Sequence, residues 1–116
     1  GLMDTRMNPD AEYSLATQLG ASGHMLQARA LFESVVAHRP NYVEAWLNLG
    51  VCYDQEGRAR EAKYALARAF QVDRDAATSM LRRFTTEGRP EVAERILSLL
   101  REMTGTVSDG TTPAAL

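Results

Sequence analysis

The sequence lacks the features that mark several classes of protein. It has one cysteine, Cys52, so it cannot form an internal disulfide, and we expect this side chain to be a small buried apolar group. Its two histidines, His24 and His38, have no sequence partners for a metal site, which needs three or four ligands. No run of about 18 apolar residues is present, so the sequence predicts no transmembrane helix.

Catalytic signatures are also missing. The chain contains no HExxH, GxSxG, CxxC or P-loop pattern, and we expect neither an enzyme nor a bound cofactor or metal. A net charge of −2 argues against nucleic acid as an electrostatic partner. The first ten residues lack the apolar stretch of a signal peptide. We expect a cytoplasmic protein without a membrane partner. The alternative is that a signal sequence was removed ahead of residue 1.

Helical periodicity is strongest in residues 45–70, AWLNLGVCYDQEGRAREAKYALARAF. Apolar or small residues recur there at helical spacing in two blocks, one on each side of Gly57. The blocks consist of Trp46, Leu49, Gly50 and Tyr53, and of Ala62, Leu66, Ala69 and Phe70. An isolated helix of about a dozen residues is marginal in water, so these two helices must pack on each other and on neighbours.

The same pattern occurs three times along the chain. Four pairs lie 34 residues apart, namely Leu15 and Leu49, Gly23 and Gly57, Ala28 and Ala62, and Phe32 and Leu66. Five pairs lie 31 residues apart, namely Leu49 and Met80, Tyr53 and Phe84, Gly57 and Gly88, Ala62 and Ala93, and Leu66 and Leu97. Three residues are therefore missing where the second copy meets the third. We expect the third copy's first helix to be about one turn short, beginning near Asp75.

Capping signals predict where several helices begin and end. Asn8 before Pro9 is typical of an N-cap followed by proline at the first helical position. Asn41 is a plausible cap for the third helix. Pro90 predicts the start of the sixth helix, which should run to about Met103.

The spacing W-x2-L-G-x2-Y, then glycine, then A-x3-(large apolar)-x2-A, resembles the tetratricopeptide repeat (TPR). The resemblance implies an all-α fold, a right-handed superhelical stack of three helix–turn–helix hairpins, or α-solenoid. The expected divisions are a flexible lead-in at 1–8, repeats at 9–42, 43–73 and 74–104, and a disordered tail at 105–116.

The residues that specify such a repeat have structural roles. Gly50 and Ala16 occupy the close contact between paired helices, where a large side chain would force the helices apart. Turn residues with positive φ are expected at Gly23, Gly57 and Gly88. We therefore assign Trp46 and Tyr53 to the core and not to a cofactor site.

In this family the first helices of successive repeats line a concave groove that receives a peptide or helix of a partner protein. The candidate groove residues lie between the core positions and are Tyr13, Thr17, Leu47, Asn48, Val51, Asp54, Thr78 and Arg82. Leu47 and Val51 are either anchors for a partner or packing residues against an adjacent element, and the pattern leaves both open. Arg82 is either solvated or pairs with a partner carboxylate.

Asn48 also matches the middle asparagine of the clamp with which co-chaperone TPR domains grip a C-terminal carboxylate. At most two of the five clamp positions agree in this chain, because Tyr13 and Thr17 replace the first lysine and asparagine. The sequence therefore argues against a chaperone clamp.

A second candidate surface is the last helix. Its apolar residues Ile96, Leu99, Leu100 and Met103 exceed what one inward face requires, and an exposed apolar patch marks an interface. This face would support homodimerisation, or a role as an assembly element of a larger complex such as a secretion- or pilus-type adaptor. RNA binding by a helical repeat is a further alternative, which the negative net charge disfavours.

Overall fold

The computed structural model describes residues 8–104, in which six α-helices and no strand occur. The helices are α1 (Pro9–Ala21), α2 (Met25–His38), α3 (Val43–Gln55), α4 (Ala59–Val72), α5 (Arg74–Thr86) and α6 (Pro90–Thr104). The expected tail, and the lead-in up to residue 7, lie outside the described residues.

Consecutive helices pair into three hairpins, α1–α2, α3–α4 and α5–α6, called the first, second and third hairpin below. A glycine with positive φ lies in each turn, at +89° for Gly23, +78° for Gly57 and +83° for Gly88. Positive φ strains residues with a Cβ atom, so the turn prediction is confirmed together with its physical reason. The all-α helical-repeat solenoid is likewise confirmed.

The core runs through all three hairpins, and the residues of the repeat pattern occupy it. Trp46 is buried and its indole Nε1 donates a 2.7 Å hydrogen bond to the Pro40 carbonyl oxygen. Cys52 is buried, as predicted. Arg29 and Glu56 form a 2.7 Å ion pair that ties the first hairpin to the second.

Of the two N-caps predicted at asparagines, the structure contains the one for α1 and lacks the one for α3. The Asn8 side-chain oxygen accepts a 2.8 Å hydrogen bond from the Ala11 amide, so this predicted cap is confirmed. The predicted cap at Asn41 is wrong. Tyr42 occupies the N-cap position of α3, and its side chain makes no capping hydrogen bond.

The three residues that the third repeat lacks are missing from the connection before α5 and not from the helix itself. Residues 39–42 connect α2 to α3, whereas Asp73 alone connects α4 to α5. Asp73 caps both helices, because its amide donates to the Ala69 oxygen at 3.1 Å and its carboxylate accepts from the Ala76 amide at 3.0 Å. The predicted short helix is wrong, since α5 has 13 residues, as do α1 and α3.

The third hairpin packs differently from the other two. At the 31-residue spacing, Leu81 stands where α3 has Gly50, and α5 and α6 pack less closely than α3 and α4. Helix α6 instead lies against the second hairpin as well. Arg95 of α6 donates two hydrogen bonds to the Asp54 carboxylate, at 2.7 and 2.8 Å. The second hairpin is therefore enclosed from both sides.

Candidate functional site

The first helices of the three hairpins line a groove with a volume of about 390 Å³. Its apolar lining comes from all three hairpins, and polar side chains reach into it from α1, α3, α5 and the last turn. These polar residues are Tyr13, Thr17, Asn48, Gln55, Arg83, Glu87 and Arg89.

Tyr13 is held rigidly on the α1 side of the groove. Its ring stacks on Tyr42 at 5.1 Å between ring centroids and meets the Phe32 ring edge-on at 5.7 Å. The Tyr13 hydroxyl oxygen accepts a 3.0 Å hydrogen bond from Nδ2 of Asn48. Burial, and to a lesser degree the charge of Glu44, raises the pKa of Tyr13 to about 12. The phenol thus keeps its proton at neutral pH.

Tyr42 fixes the entrance to α3 against α1. Its hydroxyl donates a 2.9 Å hydrogen bond to the Asp10 carboxylate, which also pairs with Arg39 at 3.3 Å. Burial, with the hydrogen bond to Asp10, raises the pKa of Tyr42 to about 12. These contacts set the position of α1 relative to α3, and hence the width of the groove at Tyr13.

Four of the predicted groove residues line the groove, namely Tyr13, Thr17, Asn48 and Val51. Leu47 does not, because its side chain is 0% exposed and belongs to the core. Val51 contributes to the lining but is also largely buried. Helix α6 lies near the C-terminal half of α3, where Arg95 binds Asp54 and a cavity separates α6 from Val51. The burial of Leu47 contradicts its use as a partner anchor and agrees with the alternative, packing against an adjacent element.

The remaining predicted groove residues lie elsewhere. Asp54 is engaged by Arg95 and borders a smaller cavity of about 210 Å³ between α3 and α6. Thr78 and Arg82 are exposed but do not line the groove. Arg83, one position further along α5, takes the place predicted for Arg82.

A sequence signal for Arg83 was present. Met80, Arg83, Phe84 and Glu87 fall at i, i+3, i+4 and i+7, and all four line the groove. Met80 and Phe84 are core positions of the repeat, so the polar residues between them on the same helix face mark the groove.

The predicted docking face on the last helix is corrected in two places. Ile96 and Leu99 are buried, since α6 turns them toward the rest of the core. Leu100 is partly buried against the core, and Met103 is 37% exposed. Leu97, which the repeat spacing equates with buried Leu66, is 40% exposed.

Residues 8–104 contain no group of histidine, cysteine and carboxylate side chains that could hold a metal ion. Burial raises the pKa of the Cys52 thiol to about 11. None of the helices between Pro9 and Thr104 is both long and apolar enough to cross a bilayer.

A search of curated proteins gives no significant match to this chain. A family model described as tetratricopeptide repeat matches residues 21–83, which is just over half of the sequence. This range takes in α2, α3 and α4 complete and most of α5. Together with the three helical hairpins and their glycine turns, the match establishes that the chain belongs to the tetratricopeptide repeat family, whose repeats generally mediate protein–protein interaction.

Proposed function

We propose that this chain is a non-enzymatic interaction module that docks a peptide or helix of a partner protein in the groove between α1, α3 and α5. The observation that carries the proposal is the groove itself. Its volume of about 390 Å³ lies within the range of roughly 300–1,000 Å³ that ligand sites occupy. It also combines apolar residues from all three hairpins with seven polar side chains, so it offers a peptide both packing and hydrogen-bonding contacts.

The floor of the groove suits an apolar side chain. Ala16 and Gly20 of α1 leave open space, which Met80 and Phe84 of α5 bound on the other side. Tyr13 is fixed by aromatic contacts on two sides and by Asn48. A site whose side chains are already ordered loses less conformational entropy when a partner docks.

Filling the groove tests the proposal. Thr17→Trp places an indole in the groove, whereas Gln18→Trp places one on the exposed side of the same helix. A partner is first captured from source lysate with the parent protein and identified by mass spectrometry. Its binding to both variants is then measured by calorimetry. We expect Thr17→Trp to weaken binding at least about tenfold, and Gln18→Trp to leave it unchanged.

Circular dichroism of both variants should match that of the parent protein, because neither substitution enters the core. Equal binding by Thr17→Trp and the parent would contradict docking in the groove. A Leu47→Asp variant is unsuitable for this test, since it buries a charge in the core and unfolds the protein.

A second candidate function rests on the exposed apolar residues of α6. Leu97 and Met103 would lie in the contact if the chain acts as an assembly element or forms a homodimer through this helix. Light scattering at high micromolar concentration tests it. A dimer that dissociates in a Leu97→Glu, Met103→Glu variant supports this function, and a monomeric parent contradicts homodimerisation.

A further inference from the structure

Tyr64 is an exposed aromatic residue that the repeat pattern does not require. Its side chain is 61% exposed on α4, whereas every other aromatic side chain between residues 8 and 104 is buried or partly buried. At the repeat spacings, the equivalent residues are Ala30 in α2 and Arg95 in α6. The Tyr64 ring meets Trp46 edge-on, with the ring centroids 5.9 Å apart, and neither residue lines the groove. The repeat fold alone therefore does not account for an aromatic residue at this position.

Trp46 and Arg68 form an ordered support beside Tyr64. The indole Nε1 is held by its hydrogen bond to the Pro40 carbonyl oxygen, and the Arg68 guanidinium lies 5.6 Å from the centre of the indole ring. This cation–π contact orders the arginine side chain before any partner binds. Tryptophan, tyrosine and arginine are the residue types that carry most binding energy at protein interfaces, and here all three meet at one place.

Arg68 differs from the other arginines in the edge of its guanidinium group that carries Nε and Nη2. Arg95 uses this edge fully, because its Nε and Nη2 donate to the two Asp54 carboxylate oxygens at 2.7 and 2.8 Å. The Nε of Arg68 is buried and has no acceptor within residues 8–104. A buried donor without an acceptor is destabilising, and a carboxylate at this edge would remove that cost. Nη1 makes only a long 3.4 Å contact with Gln71, so the guanidinium can turn this edge toward a carboxylate.

Positive charge lies on both sides of Tyr64 along α4. Arg60 and Arg68 are four residues before and after it, so the three side chains share one helix face and the two arginines lie about 12 Å apart. Neither arginine belongs to a salt bridge within the described part of the chain. The adjacent Glu61 already pairs with Arg58 at 3.1 Å. This face is therefore complementary to two negative charges that flank an apolar group.

We propose that the α4 patch, formed by Trp46, Arg60, Tyr64 and Arg68, is a second docking surface, which binds an acidic segment of a partner protein. The segment has two carboxylates about 12 Å apart, one at each arginine, and an apolar side chain between them that packs on Tyr64. A helix presents such carboxylates about seven or eight residues apart, and an extended chain presents them about three or four residues apart. Because the α4 patch lies outside the groove, one chain can hold two partner segments at the same time.

Random peptides displayed on phage provide the probe. They are selected on the parent protein and then tested against Tyr64→Ser, Arg68→Gln, Thr17→Trp and Arg82→Gln, after circular dichroism has verified that each variant is folded. Thr17→Trp fills the groove and identifies the peptides that bind there. Arg82→Gln is the matched control, because it removes an exposed arginine of α5 that belongs to neither surface. Trp46 reports binding by its fluorescence in the parent protein, since it is the only tryptophan in the sequence.

We expect one class of peptides to bind Thr17→Trp and Arg82→Gln as well as the parent, and to bind both Tyr64→Ser and Arg68→Gln about tenfold or more weakly. These peptides should contain paired Asp or Glu at one of the two spacings and should change the Trp46 fluorescence. Their binding should weaken as salt rises from about 0.05 M to about 0.5 M, because the Debye length shortens.

Two results would overturn the proposal. If no selected peptide depends on both Tyr64 and Arg68, the α4 patch is not a docking surface, and docking in the groove is unaffected by that result. If peptides depend on both side chains but show no preference for Asp or Glu, the acidic partner is wrong.

Discussion

The second and third hairpins share one repeat pattern, yet equivalent residues of the pattern are buried to different degrees. In the second, Gly50 lets α3 approach α4 so closely that an added Cβ atom would lie 2.8 Å from the Leu66 side chain. In the third, Leu81 occupies the equivalent position, α5 and α6 pack less closely, and α6 lies partly on α3. The equivalent leucines, Leu66 and Leu97, are 0% and 40% exposed. Sequence equivalence within a repeat thus predicts the helix but not its buried face.

The largest expected difference comes from placing a charge at the two equivalent leucines. Leu66→Asp should cost more than about 4 kcal/mol and abolish cooperative unfolding, because the carboxylate would be buried without a partner. Leu97→Asp should change the free energy of unfolding by less than about 1 kcal/mol, since water reaches the site. Urea unfolding followed by circular dichroism measures both. Similar losses for the two variants would mean that the hairpins bury the same face.

A smaller effect is expected from giving the second hairpin the third hairpin's leucine. Gly50→Leu should lower the free energy of unfolding by about 3 kcal/mol, because the new side chain meets Leu66 and the Ala62 carbonyl oxygen. Thermal unfolding provides the measurement, and Gly20→Ala is the control. At Gly20 the nearest atoms to an added Cβ lie at 3.7 and 3.8 Å, which is ordinary contact. A stable Gly50→Leu protein would show that the close approach of α3 and α4 is not required.

Lengthening the α4–α5 connection tests whether one residue there holds the third hairpin in place. Inserting three residues after Asp73 restores the four-residue connection found between α2 and α3. We expect α6 to leave α3, at a cost on the order of 2 kcal/mol, the value of burying about one aliphatic side chain. Hydrogen exchange should then speed up in α6 and near Asp54 while the first hairpin stays protected. Unchanged exchange would show that the packing is independent of connection length.

The last expected difference is a loss of stability that occurs only at alkaline pH and distinguishes the first two hairpins from the third. Burial raises the pKa values of Tyr13 and Tyr42 to about 12, above the usual value near 10. Their contribution to stability is present below about pH 10 and is lost as the pH rises toward 12, because the unfolded chain releases these protons first. The third hairpin contains no tyrosine. Alkaline hydrogen exchange should therefore rise first in the first two hairpins, and Tyr13→Phe should reduce that rise.

The sequence predicted most of the fold because helical spacing, glycine turns and proline starts are local signals. The starts of α1 and α6 and all three positive-φ glycines were correctly located. The length of α5 was not, since a deletion of three residues fits equally well in a helix or in the connection before it. The structure places the deletion in the connection, where Asp73 caps both the end of α4 and the start of α5. This double cap can be recognised only when both helix ends are known.

The site was predicted less well because groove residues depend on how hairpins pack. Tyr13 and Asn48 line the groove because they lie between core positions of regular repeats. Leu47 was misassigned because its side chain is fully buried in the core, and the pattern of a single helix does not show which of its faces other helices cover. Arg82 was predicted to line the groove, whereas Arg83 lines it, so the prediction was wrong by one residue. On a helix it amounts to about 100° of rotation, enough to take a side chain out of the groove.

Asp73 has one more consequence. Since it alone connects α4 to α5, the direction of the third hairpin depends on a single pair of backbone torsions, φ −160° and ψ 99°. Helix α5 is about 20 Å long, so a 10° change at Asp73 moves its far end by roughly 3 Å. Arg83 lies toward that far end, so its position in the groove lining follows the torsions of a residue ten positions away. A small rotation at Asp73 therefore moves the α5 side of the groove relative to α1 and α3.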